Sequence, residues 1–191
     1  ALLHALIQKK IYRASEIGVS TAHSPFSSNI KLVRRSEAIL LAVKPQQMGT
    51  VLTEISPFLK KGQLVMTVAA GLDTSFYRRF LPQVELVRAM PNTPCLVGEG
   101  ATGIYFSAPI RPQNRSKALK IFSSVGLTVS GQKEAWLDSV TAVSGSGPAF
   151  VFLFAEAVIR AAIKGGLPPE IAKRLFLQTL IGASTLANQA S

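Results

Sequence analysis

Between Ala38 and Ser130 the chain alternates short apolar runs with helix-spaced runs, and after Glu134 the β pattern stops. That alternation predicts an α/β layer fold with a parallel sheet, because strands joined by helical crossovers run in the same direction. Ala38 to Val43 is a continuous apolar run, as expected of a strand buried on both faces. Pro45 suits the first turn of the helix that follows, where Met48, Val51, Leu52, Ile55 and Leu59 recur at helical spacing. Leu64 to Ala69, Val84 to Met90, and Ala101 to Phe106 read as further strands, with Leu127 to Ser130 a short edge strand. Asp73 or Thr74 is placed to cap a short helix, and Arg111 to Val125 is helix-like. From Glu134 three helical patterns follow one another, and the boundary is expected near Trp136 to Thr141, giving parts 1–136 and 137–191.

Composition excludes several classes. Of 191 residues, 48% are hydrophobic and 16% charged, so the chain can bury enough apolar surface to offset its ordering entropy and is not disordered. One cysteine excludes an internal disulfide, and two histidines leave little room for a metal centre. The first residues resemble no signal peptide. A membrane span is not expected, since the apolar stretch Pro148–Ala155 is interrupted by Glu156 and Arg160. Those two stand four apart and are expected to pair along the helix. The helix from about Gly147 to Lys164 is apolar nearly all round, and is expected to be buried within the domain or against another subunit. The net charge of +11 suggests a polyanion, but Lys9-Lys10, Arg34-Arg35, Lys60-Lys61, Arg78-Arg79 and Lys173-Arg174 are spread over several elements with little aromatic interleaving.

Four small-residue turns follow or end apolar runs: Ala42-Val43-Lys44-Pro45, Val68-Ala69-Ala70-Gly71, Met90-Pro91-Asn92-Thr93-Pro94 and Ser144-Gly145-Ser146-Gly147-Pro148-Ala149. An open α/β sheet binds its ligand at the carboxyl ends of its strands, where such turns let backbone N–H groups approach closely. Taken with Arg88-Ala89, Glu99-Gly100-Ala101-Thr102, Ser123-Ser124-Val125-Gly126 and Val140-Thr141-Ala142-Val143, these turns make the sequence resemble the pyrroline-5-carboxylate reductase family.

The resemblance implies a Rossmann-like, mostly parallel sheet followed by an all-α dimerisation domain, in a cytoplasmic homodimer or larger homo-oligomer. It implies reduction of 1-pyrroline-5-carboxylate to L-proline by NADP(H), or NAD(H), with no nucleic acid or membrane as partner. By the family's pattern Ala42, Val43, Lys44 and Pro45 lie along the cofactor, Val68, Ala69 and Ala70 close over it, and Asn92, Thr93 and Pro94 border its nicotinamide end. Ser24 falls where the family contacts the adenosine ribose or its phosphate, Asn29 matches another cofactor-contacting asparagine, and Glu134 aligns with a position near the substrate. No catalytic acid or metal is expected, because a protonated cyclic imine already accepts hydride and needs mainly positioning. Cys95 is expected to be a buried thiol, and His4 and His23 carry no role.

The family's opening strand and glycine-rich phosphate turn, much of a helix after Pro25, and a C-terminal substrate loop have no counterpart in these residues, so a longer polypeptide is expected. Two other functions compete. A β-hydroxyacid-type dehydrogenase needs a lysine base in the helical half, for which Lys164 beside Gly165-Gly166 is poorly placed. A nucleic-acid-binding module needs the basic residues gathered into one surface.

Overall fold

The computed structural model describes residues 2–21 and 28–190, in two compact units that divide after Gly145. The first contains α1 (Leu2–Gln8), α2 (Asn29–Arg35), β1 (Ala38–Leu41), α3 (Pro45–Ile55), β2 (Leu64–Thr67), α4 (Thr74–Arg78), β3 (Glu85–Met90), β4 (Gly100–Ser107), α5 (Pro112–Phe122), β5 (Gly126–Gly131) and α6 (Trp136–Val140). The second holds α7 (Gly147–Lys164) and α8 (Pro169–Gln189). The expected boundary at 136/137 lies before α6, whereas the compact division lies after it. α6 stays with the first unit because Trp136 packs over Gly131 and Val140 over Gly103, two positions without a side chain.

The five strands form one sheet in chain order. β1, β2 and β3 are parallel, β4 turns antiparallel to β3, and β5 runs parallel to β4. On one face Leu41, Val65 and Leu86 meet Met48, Leu52 and Ile55 of α3 and Tyr77 of α4. On the other, Leu64, Met66, Val87 and Ile104 meet Leu6 of α1 and Ala118 and Phe122 of α5. The result is three layers, each strand alternating its side chains between two apolar interfaces. The first strand is shorter than its apolar run suggests and only half-buried at Ala38, Ile39 and Leu40, because among the described residues only β2 pairs with it.

Local chemistry sets the helix starts. Pro45 opens α3 behind an extended Lys44, and Asp73 caps α4 by accepting from the Phe76 N–H at 2.8 Å. Backbone N–H and side-chain hydroxyl bonds to Phe76 and Ser75 hold the Asp73 carboxyl below its ordinary value.

Glu85 opens β3 as a buried carboxylate. Burial pushes its pKa up, but the backbone N–H of Arg111, the amide of Asn114 and the Arg111 guanidinium outweigh that and hold it below the ordinary 4.5. The stability Glu85 contributes is therefore fully present above 4.5 and is lost as pH falls through the lower folded value. Urea unfolding between about pH 6 and about pH 3 should show a smaller loss of stability in Glu85→Gln than in the parent. Equal losses in both proteins overturn this assignment.

In the second unit α7 and α8 pack through Ala155 and Ala172, the buried residues of the pair, with the Phe154 and Phe176 rings 5.7 Å apart. Glu156 and Arg160 form the expected i,i+4 pair at 2.6 Å. Phe150, Val151, Phe152, Leu153 and Phe154 are exposed, so the expected burial of α7 is not met by this chain alone. The continuous helical run Trp136–Lys164 is also long and apolar enough to cross a bilayer, which corrects the argument drawn from Pro148–Ala155.

Candidate functional site at the carboxyl edge of the sheet

Because β1, β2 and β3 are parallel neighbours, their exit turns leave side by side along one edge of the sheet. This brings together Ala42, Val43, Lys44 and Pro45, then Val68, Ala69 and Ala70, then Asn92, Thr93 and Pro94. The Val68 N–H donates to the Leu41 carbonyl at 3.3 Å, tying the second turn to the first. Ala42, Lys44, Ala70 and Thr93 are exposed, while Ala69 is buried. No side chain caps the start of α3 at Lys44, where Pro45 carries no N–H and the Gln47 N–H donates to the Lys44 carbonyl at 2.9 Å, so what the helix presents at this edge is its positive end. Gly71 has a φ of +75°, and a Cβ there would meet nothing within 4 Å, so open space lies beside the second turn.

Buried polar contacts hold these turns in place. Thr67 accepts from the Ala69 N–H at 3.2 Å and shares a 2.8 Å hydrogen bond with the Tyr77 hydroxyl. Burial pushes the Tyr77 phenol up, keeping it protonated and able to donate. The Asn92 amide donates to the Ser144 carbonyl at 3.1 Å, and its oxygen accepts from the Ala101 N–H at 2.9 Å. Asn92 therefore anchors its turn between β4 and the π-helical turn Thr141–Gly145. Cys95 is buried directly behind it, as expected.

Glu134 reaches the same region from the loop after β5. Its Oε1 accepts from the Thr74 N–H and hydroxyl, both at 2.6 Å, and from Arg88 Nη1 at 2.5 Å. Arg88 lies in β3 beside Thr67 and faces the α4 side of the sheet, so the carboxylate clasps β3, α4 and the entry to α6 together. Arg88 and Thr74 are site residues that motif reading missed. The available signal was a lone arginine within the apolar run Val84–Met90, which needs a counter-charge when buried. Arg88 Nε is buried and has no partner among the described residues.

Asn29 is not brought to this edge. Its amide donates to Glu54 Oε2 at 2.8 Å, near the last turn of α3, whereas Lys44 sits at the first. Ser24 and His23 lie outside the described residues.

The clasp yields a direct prediction. In a double-mutant cycle of Arg88→Met and Glu134→Gln, unfolding free energies should give a coupling of about 1–2 kcal/mol. A coupling near zero means that the pair contributes nothing to holding the edge.

Comparison with known proteins adds independent findings. Residues 134–191 match the family model described as pyrroline-5-carboxylate reductase dimerisation. The chain is 42% identical over 161 residues to a pyrroline-5-carboxylate reductase of Pseudomonas aeruginosa, covering 84% of this chain and 59% of that protein. It is 37% identical to one from Synechocystis, covering 99% of this chain and 75% of that one. Among solved structures, Plasmodium falciparum pyrroline carboxylate reductase with NADP bound is similar with a TM-score of 0.88 and 34% identity, covering 98% of this chain and 73% of that chain. A pyrroline-5-carboxylate reductase from Coxiella burnetii gives 0.85 and 31%, covering 98% and 75%. The chain thus spans between 59% and 75% of the lengths of these relatives.

Proposed function

Since the chain belongs to the pyrroline-5-carboxylate reductase family, we propose that it carries the cofactor edge and dimerisation helices of a cytoplasmic reductase forming L-proline from 1-pyrroline-5-carboxylate. The observation that carries the reading is the convergence of three small-residue exit turns on one sheet edge, beside the uncapped start of α3.

NADP(H) fits that edge. The space at Gly71, the exposed Ala42 and Ala70, and the unpartnered buried Nε of Arg88 all leave room or hydrogen-bonding capacity for it. When bound, the reduced cofactor supplies a hydride to the imine carbon of the substrate. In this reading Val43, Lys44 and Pro45 border the cofactor, with the positive end of α3 and Lys44 offering positive potential to its phosphates. Val68, Ala69 and Ala70 form a wall without bulky side chains, fixed by Thr67 and Tyr77. Thr93 and Pro94 border the nicotinamide end, and Asn92 sets their position through Ser144 and Ala101. Glu134 acts by positioning, since its carboxylate is engaged by Arg88 and Thr74. No residue needs to deliver a proton to a neutral group, because the imine is protonated before it accepts hydride.

The described Lys164 is exposed at the end of α7, which does not favour the β-hydroxyacid dehydrogenase alternative. NADPH oxidation that depends on pyrroline-5-carboxylate, measured with the full-length protein, tests the reading. Lys44→Ala should raise the KM for NADPH about three- to tenfold with a smaller change in kcat. Absence of substrate-dependent oxidation by folded, full-length protein overturns it.

A further inference from the structure

The net charge of +11 finds only a small outlet at the carboxyl edge, where Lys44 is the one lysine of the three exit turns. The opposite edge is different. Where β1, β2 and β3 begin, Arg35, Lys60, Lys61, Arg111 and Lys117 line one cleft of about 450 Å³. These residues come from the end of α2, the turn before β2, and α5, so cations that are scattered in the sequence meet in space. Of the five basic pairs read from the sequence, Lys60-Lys61 and Arg35 line this cleft, and the others do not.

The floor of the cleft is rigid and built from buried polar groups. Gln63 donates to the Val33 carbonyl at 3.0 Å and the Ser36 carbonyl at 2.5 Å, and accepts from the Lys60 N–H at 2.9 Å. Glu85 accepts from the Arg111 N–H at 2.9 Å and from Asn114 at 2.8 Å. Arg111 is further held by Glu85 and by the Gly62 carbonyl, so its guanidinium is fixed at the rim. Two carboxylates, Glu37 and Glu85, answer five cations, and they are committed to Lys117 and Arg111. Arg35, Lys60 and Lys61 make no ion pair among the described residues. A concave surface with unopposed charge of one sign concentrates potential and recruits a counter-ion.

We propose that this cleft binds a small oligophosphate anion. The cavity is of the size of a small ligand rather than a strand of nucleic acid, and no aromatic residue lines it to stack bases. Three free cations beside a fixed guanidinium match an anion carrying three or four charges, with arginine providing a directional fork and the lysines point charges. The site lies at the edge of the sheet away from the exit turns and does not rest on the reductase reading.

Calorimetric titration of the full chain with sodium triphosphate tests this. Binding that weakens at least about tenfold in Lys60→Glu/Lys61→Glu, and less than about twofold in Lys44→Ala, supports the proposal. The melting temperature of the double variant establishes that it is folded, and Lys60→Gln/Lys61→Gln should give an intermediate loss if the reversed charges unfold it. ATP competing with triphosphate identifies a nucleotide's phosphates as a sufficient ligand, while triphosphate binding without ATP competition restricts the site to free oligophosphate. Either result supports the site. No binding by the parent, equal binding by the double variant, or loss on Lys44→Ala alone overturns it. So does an RNA oligonucleotide that binds more tightly than triphosphate and is released by the same double variant.

Discussion

Replacing Phe150 and Leu153 together by glutamate should convert the protein to a monomer. Both side chains lie on α7, three residues apart and therefore on one face, and are 63% and 67% exposed in the single chain. A helix that presents five consecutive large apolar residues to water needs a cover, and because residues 134–191 match a family model described as a dimerisation region, a second copy of the chain is the cover we propose. Burying each of these side chains contributes about 1.5–3 kcal/mol, and a two-fold interface counts every substitution twice. Light scattering should show the mass of one copy at concentrations where the parent is oligomeric. The fold of the chain should persist, because neither side chain packs into its own core. An unchanged mass removes this face from the interface.

Gly126→Ala should be the most damaging single substitution in the sheet. Gly126 has a φ of +139°, and a Cβ there would lie 2.0 Å from the Gly100 carbonyl oxygen and 2.4 Å from the Gly100 nitrogen. Gly100 cannot move aside, because a Cβ on it would already lie 2.1 Å from the Cys95 sulfur, and it pairs with Gly126 in the ladder. The clash is with backbone rather than a flexible side chain, so relief requires separating β4 from β5. A loss of about 3 kcal/mol or more follows, read as a melting temperature lower by about 10 °C or as failure to accumulate folded protein. Gly49→Ala is the control: a Cβ there meets nothing within 4 Å, and alanine favours the helix by about 0.5–1 kcal/mol. Similar melting temperatures for the two variants would dismiss the steric argument.

These effects differ in how far they could be read from residue order. The five strands were legible because each is a short apolar run closed by glycine, proline or a charge. The reversal of β4 was not, since apolar periodicity carries no direction, and it is what brings the starts of β4 and β5 to the edge where β3 ends. The three exit turns could be read as a group from their small residues and family pattern. Glu134 could be singled out, but not its task, because its partners Thr74 and Arg88 stand 60 and 46 residues away. Nor could the partner of Asn29 be read from residue order, since Glu54, which accepts from its amide, stands 25 residues away. Arg35, Lys60 and Lys61 show the same, because the end of α2, the turn before β2 and α5 gather charges that no sequence window contains together.

The strand order also bears on how the chain acquires this form. Each described strand after β1 pairs with the strand just before it in the chain. Among the described strands none has to hold a gap open for a later one, so each after β1 can dock on an edge already laid down. A chain emerging residue by residue can thus zip the sheet up in the order of synthesis, at a modest entropic cost of loop closure for each step. The apolar helices α7 and α8 follow these five strands in the chain. Pairing of copies through these helices, as proposed above, would therefore follow synthesis of the five described strands.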